Sequence, residues 1–513
     1  MKRAHRLLSW PEAHPTLSLA AIIVLFSGVV LGNITRWSIW FDEAFSAYLV
    51  RFGFGDIVRY TAADVHPPLY YWLLKIWTIM FGTSELAFRS LSLLFAVIGL
   101  VGVYAIIKRL FRSETWALAA ALAVCASPML VRFSAEVRMY TLVFAIVAWG
   151  TYALVRATES NARRWWVLYA LLVALGMYTH YFVALAWISH WVWRAYEAKR
   201  GRIKQFWTAE WVWTFALAIG LYLPWSAILL KQFATVQAGF WIPPLSAYTP
   251  IDYLSNTLLY REYGAVRGWW AIGFYVFASV AVWLAWQIWS RAKTAERSAV
   301  ALVSIMAVVP PVLLMLGSIP PLKSSFIDRY VLYAQVFFAV IAALGLLRVW
   351  AKRPLLGAVL GTTLIVTSVL GIYNVYYYGN YNKNSMTSIR VRDVVRQIDA
   401  TAKPGEPIIA ATQWLYYEAA FYDTRDHHVY FLDQTTSYKY GSEKMLKEND
   451  IGKIKDLTAF AERHRYVWYL GSNVAGEVPP PVASWRRVKS VAAYDYIDKN
   501  TKYRAGLYDT QAK

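Results

Sequence analysis

The sequence is poor in cysteine and in charge, and negative charge is especially scarce. The single cysteine, Cys125, lies in an apolar run and supports neither a disulfide framework nor a zinc site. Charged residues make up 16% of the chain, against about 25% in soluble domains, and 31 acids face 52 lysines and arginines. Hydrophobic residues reach 58% and aromatic residues 17%. This composition is typical of a multi-pass membrane protein, because Trp and Tyr favour the membrane–water interface.

The basic residues fall in short clusters between apolar runs. The net charge of +21 therefore indicates cytoplasmic membrane loops and not a nucleic-acid-binding surface. With the amino terminus in the cytoplasm, every second short loop is basic, as the positive-inside bias requires. The basic loops carry Lys2, Arg3 and Arg6; Lys108, Arg109 and Arg112; Arg156, Arg163 and Arg164; Arg194, Lys199, Arg200, Arg202 and Lys204; Arg291, Lys293 and Arg297; Arg348, Lys352 and Arg353.

Apolar runs of about 20 residues predict transmembrane helices. The first run is too long for the core of a signal peptide and has no clear small-residue cleavage site, so we expect it to remain as the first span. These runs predict an all-α polytopic membrane protein with about eleven spans, at 16–36, 87–110, 116–133, 139–156, 165–179, 181–196, 210–231, 269–290, 298–318, 330–349 and 355–377.

One short apolar stretch, 66–82, is not counted as a span. It opens with Pro67 and Pro68 and carries Lys75 midway, and counting it would place the basic cluster at Lys108 on the outer side. We predict a helix that lies in the outer interface.

Beyond residue 378 the apolar runs shorten and the charge density rises. Apolar residues at helical spacing predict a helix over Val391–Thr401, and short strands are predicted at 407–411 and 466–470. The sequence thus predicts a transmembrane domain of residues 1–378 followed by a small extracytoplasmic α/β domain of residues 379–513.

Ionisable side chains gather in the predicted outer loops. A charge at the bilayer centre costs at least about 2.5–3.5 kcal/mol, and the interiors of the predicted spans are nearly free of charge. Carboxylates can accept a proton from an acceptor hydroxyl, and arginines bind phosphate through paired hydrogen bonds. At a water–lipid boundary, such a set suits group transfer from a lipid-linked phosphate. The outer-loop groups are Asp42, Glu43, Asp64, His66, Glu136, Arg138, His180, Lys323, Asp328 and Arg329.

Five segments resemble motifs of one enzyme family, at 40–44 (WFDEA), 64–69 (DVHPPL), 134–140 (SAEVRMY), 178–181 (YTHY) and 328–330 (DRY). The Asp-Glu pair resembles the signature of the GT-C membrane glycosyltransferases. Together the segments are similar to glycosyltransferase family 39, which includes the protein O-mannosyltransferases and the lipid A aminoarabinose transferases. The resemblance spans about residues 35–350. It departs at His66-Pro67, where the aminoarabinose branch typically has Lys-Pro, and this weakens a claim to that substrate.

The resemblance implies an inverting glycosyltransferase with a GT-C-like fold, which takes a sugar from a polyprenyl-phosphate donor on the outer face of the plasma membrane. The acceptor is a glycan, a lipid or a protein. We expect Asp42 to be the general base, with Glu43 and Glu136 as further catalytic residues. Whether a divalent metal ion takes part is left open, with His66 as its candidate ligand. The expected donor-phosphate or substrate-binding residues are Asp64, His66, Arg138, Lys323, Arg329 and Tyr330.

Each motif also has a structural interpretation. Asp42 suits the N-cap of a helix that begins near Glu43, and Glu43 suits its first turn. Glu136 and Arg138 can form a salt bridge that fixes an outer turn. For the whole protein, a transporter or flippase for lipid or sugar is the alternative, although repeated halves and midplane charges are not evident. A sensor or assembly factor that recognises its target through the terminal domain is a further alternative.

Overall fold

The computed structural model describes residues 11–201, 203, 205–238, 242–260, 269–290, 292–378, 381–382, 387–424, 427–433, 443–472, 478–494 and 501–512. These residues form two compact units. The first comprises the described residues up to Ile34 together with His66–Tyr70 and Arg89–Tyr377. The second comprises Thr35–Val65, Tyr71–Phe88 and the described residues from Tyr378 onward.

The first unit is helical, and its helices follow the apolar runs of the sequence. Buried faces made of Ala, Val, Leu and aromatic residues pack helix against helix. Two short 3₁₀ turns lie directly before helices of this unit. Tyr181–Val183 precedes Ala184–Lys199, and Asp328–Val331 precedes Leu332–Lys352. The helices that lie wholly or largely in this unit are Pro15–Leu31, Glu85–Phe111, Glu114–Cys125, Pro128–Ser134, Tyr140–Ser160, Arg163–Met177, Ala184–Lys199, Ala209–Ala238, Thr249–Leu259, Trp269–Trp289, Thr294–Leu316, Leu332–Lys352 and Pro354–Tyr378.

The helices confirm a multi-pass membrane protein. Within the described residues, six helices are long and apolar enough to cross a membrane, or up to seven if one bent helix pair counts as a span. Each of the eleven predicted runs overlaps a helix, but several of these are shorter, so eleven crossings stays a prediction. The qualifying helical segments are Glu85–Phe111, Tyr140–Ser160, Ala209–Ala238, Glu296–Leu316, Asp328–Lys352 and Pro354–Tyr377.

The predicted run 116–133 is broken in the structure. Glu114–Cys125 and Pro128–Ser134 meet at an angle of 63°. Pro128 lacks the N–H that would continue the first helix, and Ser127 starts the second by accepting a bond from the Leu130 N–H. The break brings the segment that carries Glu136 and Arg138 out of a regular helix.

The stretch predicted to lie in the interface forms the helix Leu69–Phe81. Thirteen residues at about 1.5 Å each reach about 20 Å, well short of a hydrocarbon core of about 30 Å. Lys75 lies on this helix and donates to the carbonyl oxygen of Val50 at 3.1 Å. Its place at the membrane surface stays a prediction.

The part of the second unit after residue 378 is an α/β structure, as the sequence predicts. Its described strands are β1 Tyr381–Asn382, β2 Thr387–Ser388, β3 Ile408–Ala410, β4 Val429–Leu432, β5 Lys453–Ile454, β6 Tyr466–Ser472, β7 Arg486–Tyr494 and β8 Thr501–Asp509. Six of them form one sheet in the order β5-β4-β3-β6-β8-β7, parallel from β5 to β6 and antiparallel from β6 to β7. The helices after residue 378 are Val391–Thr401, Gln413–Tyr422, Glu443–Lys447 and Leu457–Arg463.

The predicted helix Val391–Thr401 begins and ends where its apolar spacing places it, and β3 and β6 fall on the two predicted strands. Their core contains Ile409 and Val467, packed with Tyr508. The helices Phe41–Leu49 and Phe54–Ala63 also belong to this unit, although they lie more than 300 residues earlier in the sequence.

Close helix packing in the first unit gives a testable expectation. A Cβ atom on Gly345 would lie 2.6 Å from Leu284 Cβ and 2.8 Å from its carbonyl carbon. Overpacking of this kind costs about 1–3 kcal/mol, so Gly345→Ala should lower the Tm of the detergent-solubilised protein, followed by tryptophan fluorescence. The matched control is Gly220→Ala in another helix, where a Cβ meets nothing within 4 Å. An equal Tm for the two variants would contradict the close approach.

Candidate functional site

The Asp-Glu pair lies in the first turn of the helix Phe41–Leu49. Glu43 is buried and accepts a hydrogen bond from the Trp40 N–H at 3.3 Å, which satisfies a backbone donor at the helix start. Asp42 is half-buried, and its backbone carbonyl accepts a bond from Ser46 Oγ at 2.8 Å. Glu43 thus has a capping contact and is buried, whereas Asp42 in the same turn is partly exposed.

The chain that leads into this helix is bound by two residues from beyond position 378. Arg392 donates to the carbonyl oxygens of Thr35 and Arg36, at 2.8 Å each, and its Nη1 lies 2.9 Å from a carboxylate oxygen of Glu85. Tyr422 accepts a bond from the Ile39 N–H and donates to Glu85. These contacts bind carbonyl groups of a turn and an N–H of the irregular segment after it, which form no helix or strand ladder.

The start of the Asp42 helix is fixed by the helix Gln413–Tyr422. Trp414 packs edge-on against Phe41, with ring centroids 4.5 Å apart, and Tyr417 packs edge-on against Phe45 at 5.9 Å. The buried carboxyl group of Glu418 accepts a hydrogen bond from the Phe41 N–H. We name the set Arg392, Glu418 and Tyr422 the loop clamp.

Burial raises the pKa of Glu418 well above its usual value, and the charge on Glu43 raises it further. Both effects favour the protonated form of the Glu418 carboxyl group. Sequence reasoning did not single out any member of the loop clamp. The pairing joins residues more than 300 positions apart, and no local pattern marks it.

Asp64 follows the helix Phe54–Ala63 and is half-buried. Its N–H bonds to the carbonyl oxygen of Tyr60 at 3.1 Å, so its backbone ends that helix. Asp64 belongs to the second unit and His66 to the first.

In the first unit, His66, Arg138 and His180 come together. Arg138 Nη2 lies 3.2 Å from His66 Nε2, and the rings of His66 and His180 are 6.1 Å apart. The Arg138 side chain is buried at the turn between the helices Pro128–Ser134 and Tyr140–Ser160. The three residues come from three separate predicted motifs.

Aromatic rings surround this group. Tyr330 lies 4.8 Å from His180 and stacks on Phe182 at 5.2 Å, while the Arg329 guanidinium lies 5.7 Å over the ring of Tyr140. We call His66, Arg138, Tyr140, His180, Arg329 and Tyr330 the arginine–histidine cluster.

His180 is a neutral member of this cluster. Burial lowers the pKa of His180 well below its usual value, and the charges of His66, Arg138 and Arg329 lower it further. Its Nδ1 accepts a bond from the Phe182 N–H at 3.3 Å, which leaves the proton on Nε2. The cluster therefore combines two guanidinium groups with a neutral imidazole donor.

Glu136 is fully buried and forms an ion pair with Arg132 at 2.6 Å. Arg132 Nε also donates to Tyr260 Oη at 3.1 Å. Glu136 thus has a structural contact with Arg132. Its catalytic role and its salt bridge with Arg138 stay predictions. Lys323 is exposed, and its backbone N–H donates to Gln237 at 3.1 Å.

Among the described residues, one group of three metal-type side chains meets, formed by Asp399, Asp423 and His427. His66 is not a member of such a group, so its metal role stays a prediction.

Residues 65–226 match the family model described as dolichyl-phosphate-mannose-protein mannosyltransferase. The matched segment contains four of the ionisable outer-loop residues, His66, Glu136, Arg138 and His180. No curated protein matches the sequence.

Solved structures share the fold of the whole chain. ArnT from Cupriavidus metallidurans in the apo state is 12% identical, with 96% of this chain and 98% of that chain covered and a TM-score of 0.61. The same protein bound to undecaprenyl phosphate is 13% identical, with 98% and 99% covered and a TM-score of 0.61. The oligosaccharyltransferase of Archaeoglobus fulgidus, in complex with Zn and sulfate, is 13% identical, with 88% and 67% covered and a TM-score of 0.51.

The fold and the matched segment define a multi-pass membrane protein of the GT-C glycosyltransferase fold, which confirms the resemblance drawn from the motifs. Within that fold, the chain is similar to ArnT of C. metallidurans, and its residues 65–226 are similar to the protein mannosyltransferase family.

Glu418 provides a test of the loop clamp. Glu418→Gln keeps an oxygen that accepts from the Phe41 N–H and removes the ionisable group, whereas Glu418→Ala leaves that N–H unpaired at a cost of about 1–3 kcal/mol. The pKa of Glu418 is higher in the folded than in the unfolded protein. The wild type therefore loses stability as the pH rises above about 4.3, the pKa of an unfolded glutamate, towards the folded pKa. Glu418→Gln should therefore gain in Tm relative to the wild type as pH rises from 5 to 8.

Thermal unfolding of the three proteins across that pH range measures this effect. The alanine variant should unfold at lower temperature than the glutamine variant at every pH. A difference in Tm between the glutamine variant and the wild type that does not change from pH 5 to pH 8 would contradict the raised pKa of Glu418.

Proposed function

We propose that the protein is an inverting glycosyltransferase, which moves a sugar from a polyprenyl-phosphate donor to an acceptor hydroxyl on the outer face of the plasma membrane. The observation that carries the proposal is the arginine–histidine cluster, in which the charges of Arg138 and Arg329 both lower the pKa of the buried His180. Two guanidinium groups beside a neutral imidazole form a cationic pocket suited to a phosphate.

The donor class is supported by the proteins that share the fold. ArnT of C. metallidurans was solved bound to undecaprenyl phosphate. The A. fulgidus oligosaccharyltransferase, 12% identical over 90% of this chain with a TM-score of 0.51, was solved with an inhibitory peptide and a dolichol-phosphate. Both ligands are polyprenyl phosphates, and the matched family model is named for a dolichyl-phosphate sugar donor.

In the proposed reaction, Asp42 accepts the proton of the acceptor hydroxyl while that oxygen attacks the anomeric carbon. The bond from the anomeric carbon to the phosphate oxygen breaks in the same step, and polyprenyl phosphate leaves. One displacement inverts the anomeric centre, whereas a covalent enzyme intermediate would retain it. Asp42 is the group for this task because its half-buried carboxylate stands in the first turn of a clamped helix.

The leaving phosphate gains negative charge as the bond breaks. Arg138 and Arg329 stabilise this charge, and the Nε2 proton of His180 is a further donor. Tyr330 and His66 line the same cluster and orient these groups. Asp64 and Lys323 remain proposed substrate-binding residues, and Glu43 orients the Asp42 turn through its capping bond.

The role of Asp42 is tested by Asp42→Asn. The amide keeps the size of the side chain and cannot accept the proton, so sugar transfer should fall by at least about 10²–10⁴-fold with unchanged expression and Tm. Asp56→Asn is the matched control, because Asp56 is an exposed carboxylate paired with Arg59 at 3.2 Å on the next helix. Transfer is measured with purified enzyme and labelled polyprenyl-phosphate sugar. Full activity in Asp42→Asn would refute the assignment.

The phosphate role of the cluster is tested by Arg138→Lys and Arg329→Lys. Lysine keeps the charge and loses the planar fork, so each variant should lower kcat/KM for the donor by about 10–100-fold. If both arginines contact one phosphate, the double variant should lose less than the product of the single losses. Arg109→Lys, at an exposed arginine paired with Glu159 at 2.6 Å, is the control and should be unaffected. Unchanged donor kinetics in both cluster variants would contradict the proposal.

The sugar and the acceptor are found by comparing cell-surface glycans, by mass spectrometry, with and without the gene. A glycan that lacks one sugar in the deletion strain, and regains it with the wild type but not with Asp42→Asn, identifies both. Lipid movement in proteoliposomes without any sugar transfer would instead favour a flippase.

A further inference from the structure

We propose that Asp399, Asp423 and His427 form a structural site for a divalent metal ion of the Zn²⁺ type. One ligand atom from each residue lies within 4.8 Å of the others. The inference is independent of the proposed reaction, because the three residues lie outside the motifs that carry it.

The three ligands come from the ends of structural elements. Asp399 is near the end of the helix Val391–Thr401, Asp423 directly follows the helix Gln413–Tyr422, and His427 precedes β4. The Asp423 N–H bonds back to the carbonyl oxygen of Ala419 at 2.9 Å, and the His427 N–H donates to Asp423 Oδ1 at 3.3 Å. Backbone contacts therefore hold two of the three ligands in place.

The imidazole of His427 is the strongest sign of a metal. His427 is 4% exposed and Asp399 is 8% exposed. Within the described part of the chain, neither ring nitrogen of His427 has a hydrogen-bond partner, and Asp399 Oδ1 has none. A buried imidazole whose two nitrogens are both unsatisfied is costly, and a metal ion bound through one nitrogen removes part of that cost.

The distance between the two side chains supports the same conclusion. His427 Nε2 lies 3.4 Å from Asp399 Oδ1. A charge-assisted hydrogen bond would measure about 2.7–2.9 Å. Two ligand atoms at about 2.0–2.1 Å from Zn²⁺ and at the tetrahedral angle lie about 3.3 Å apart, which agrees with the observed separation.

The outer contacts of the group are those expected around a metal ligand. Thr424 Oγ1 donates to Asp399 Oδ2 at 3.1 Å, which orients the carboxylate and leaves Oδ1 for the ion. One imidazole and two carboxylates suit Zn²⁺ better than the all-oxygen shell that Ca²⁺ prefers. Three protein ligands leave one tetrahedral position for water.

The metal would act on the loop clamp. Asp399 lies seven residues, or two helical turns, after Arg392 on the same helix face, and Asp423 adjoins Tyr422. An ion shared by Asp399, Asp423 and His427 would join the ends of the two helices that carry Arg392, Glu418 and Tyr422. The metal site would thus stabilise the two helices whose side chains bind the segment leading to Asp42.

The test uses the full-length protein purified in detergent without added metal. Elemental analysis should find about one Zn²⁺ per chain after gel filtration, and chelation should lower the Tm by several degrees until Zn²⁺ is restored. Refilling with Co²⁺ should give a visible d–d absorption band. Zinc-free wild-type protein whose Tm does not respond to Zn²⁺ or Co²⁺ would overturn the proposal, and so would Ca²⁺ bound in place of zinc.

Variants separate the site from adventitious metal. His427→Ala and Asp399→Asn should lower the zinc content to below about one tenth per chain. The controls are His464→Gln, a histidine outside the group, and Asp450→Asn, an exposed carboxylate paired with Lys455 at 3.0 Å. Both should retain zinc, and zinc retained in His427→Ala would overturn the assignment. A failure of Asp42→Asn to lose activity would leave these measurements unchanged, so the two proposals are tested separately.

Discussion

The contacts of Arg392 with the backbone of Thr35 and Arg36, and with Glu85, are the interaction on which the second unit depends. The chain between Ile34 and the Asp42 helix belongs to neither a helix ladder nor a sheet, so its carbonyl groups take donors from elsewhere. A single buried guanidinium supplies two of them and is itself neutralised by a carboxylate. Without it the segment would have to recover these bonds from water, and the Asp42 turn would lose its fixed position.

A second constraint is the cost of charge in a lipid bilayer, and it explains where the ionisable groups of the first unit lie. Arg138 lies in a turn between two helices, His180 in a turn before a 3₁₀ segment, and Arg329 inside another 3₁₀ segment. Each is at the end of a helix rather than in its middle. Residues that must stay charged or polar in a membrane protein are confined to such ends, so motifs distant in sequence meet in one place.

The sequence could predict what depends on local pattern. Apolar runs located the helices of the first unit, and the short β-rich runs located β3 and β6. An amphipathic helix was located by the spacing of Val391, Val394, Val395 and Ile398. It could not predict that Phe41–Leu49 and Phe54–Ala63 belong to the same unit as the residues beyond 378. That association rests on single long-range contacts, such as Phe41 with Trp414, which leave no periodic trace.

The same limit applies to the candidate site. His66, Arg138 and Arg329 were identified from residue type and motif, and the structure shows that they surround His180. Glu418 was not identified, because a glutamate within the sequence 413–422 resembles any surface residue of a helix. Its role arises from burial, which raises its pKa, and from the backbone N–H that it accepts a bond from.

The two parts of the proposed machinery make different physical demands. A general base must hold one position, so the proposed base Asp42 stands at a helix start whose backbone N–H groups are bound by Glu43 and by Glu418 of the α/β part of the chain. A phosphate site must keep its cations after water is lost. Arginine serves there because its guanidinium is weakly hydrated and makes cation–π contacts with aromatic rings, as Arg329 does with Tyr140. The polar framework and the aromatic cluster therefore follow from the chemistry that each has to support.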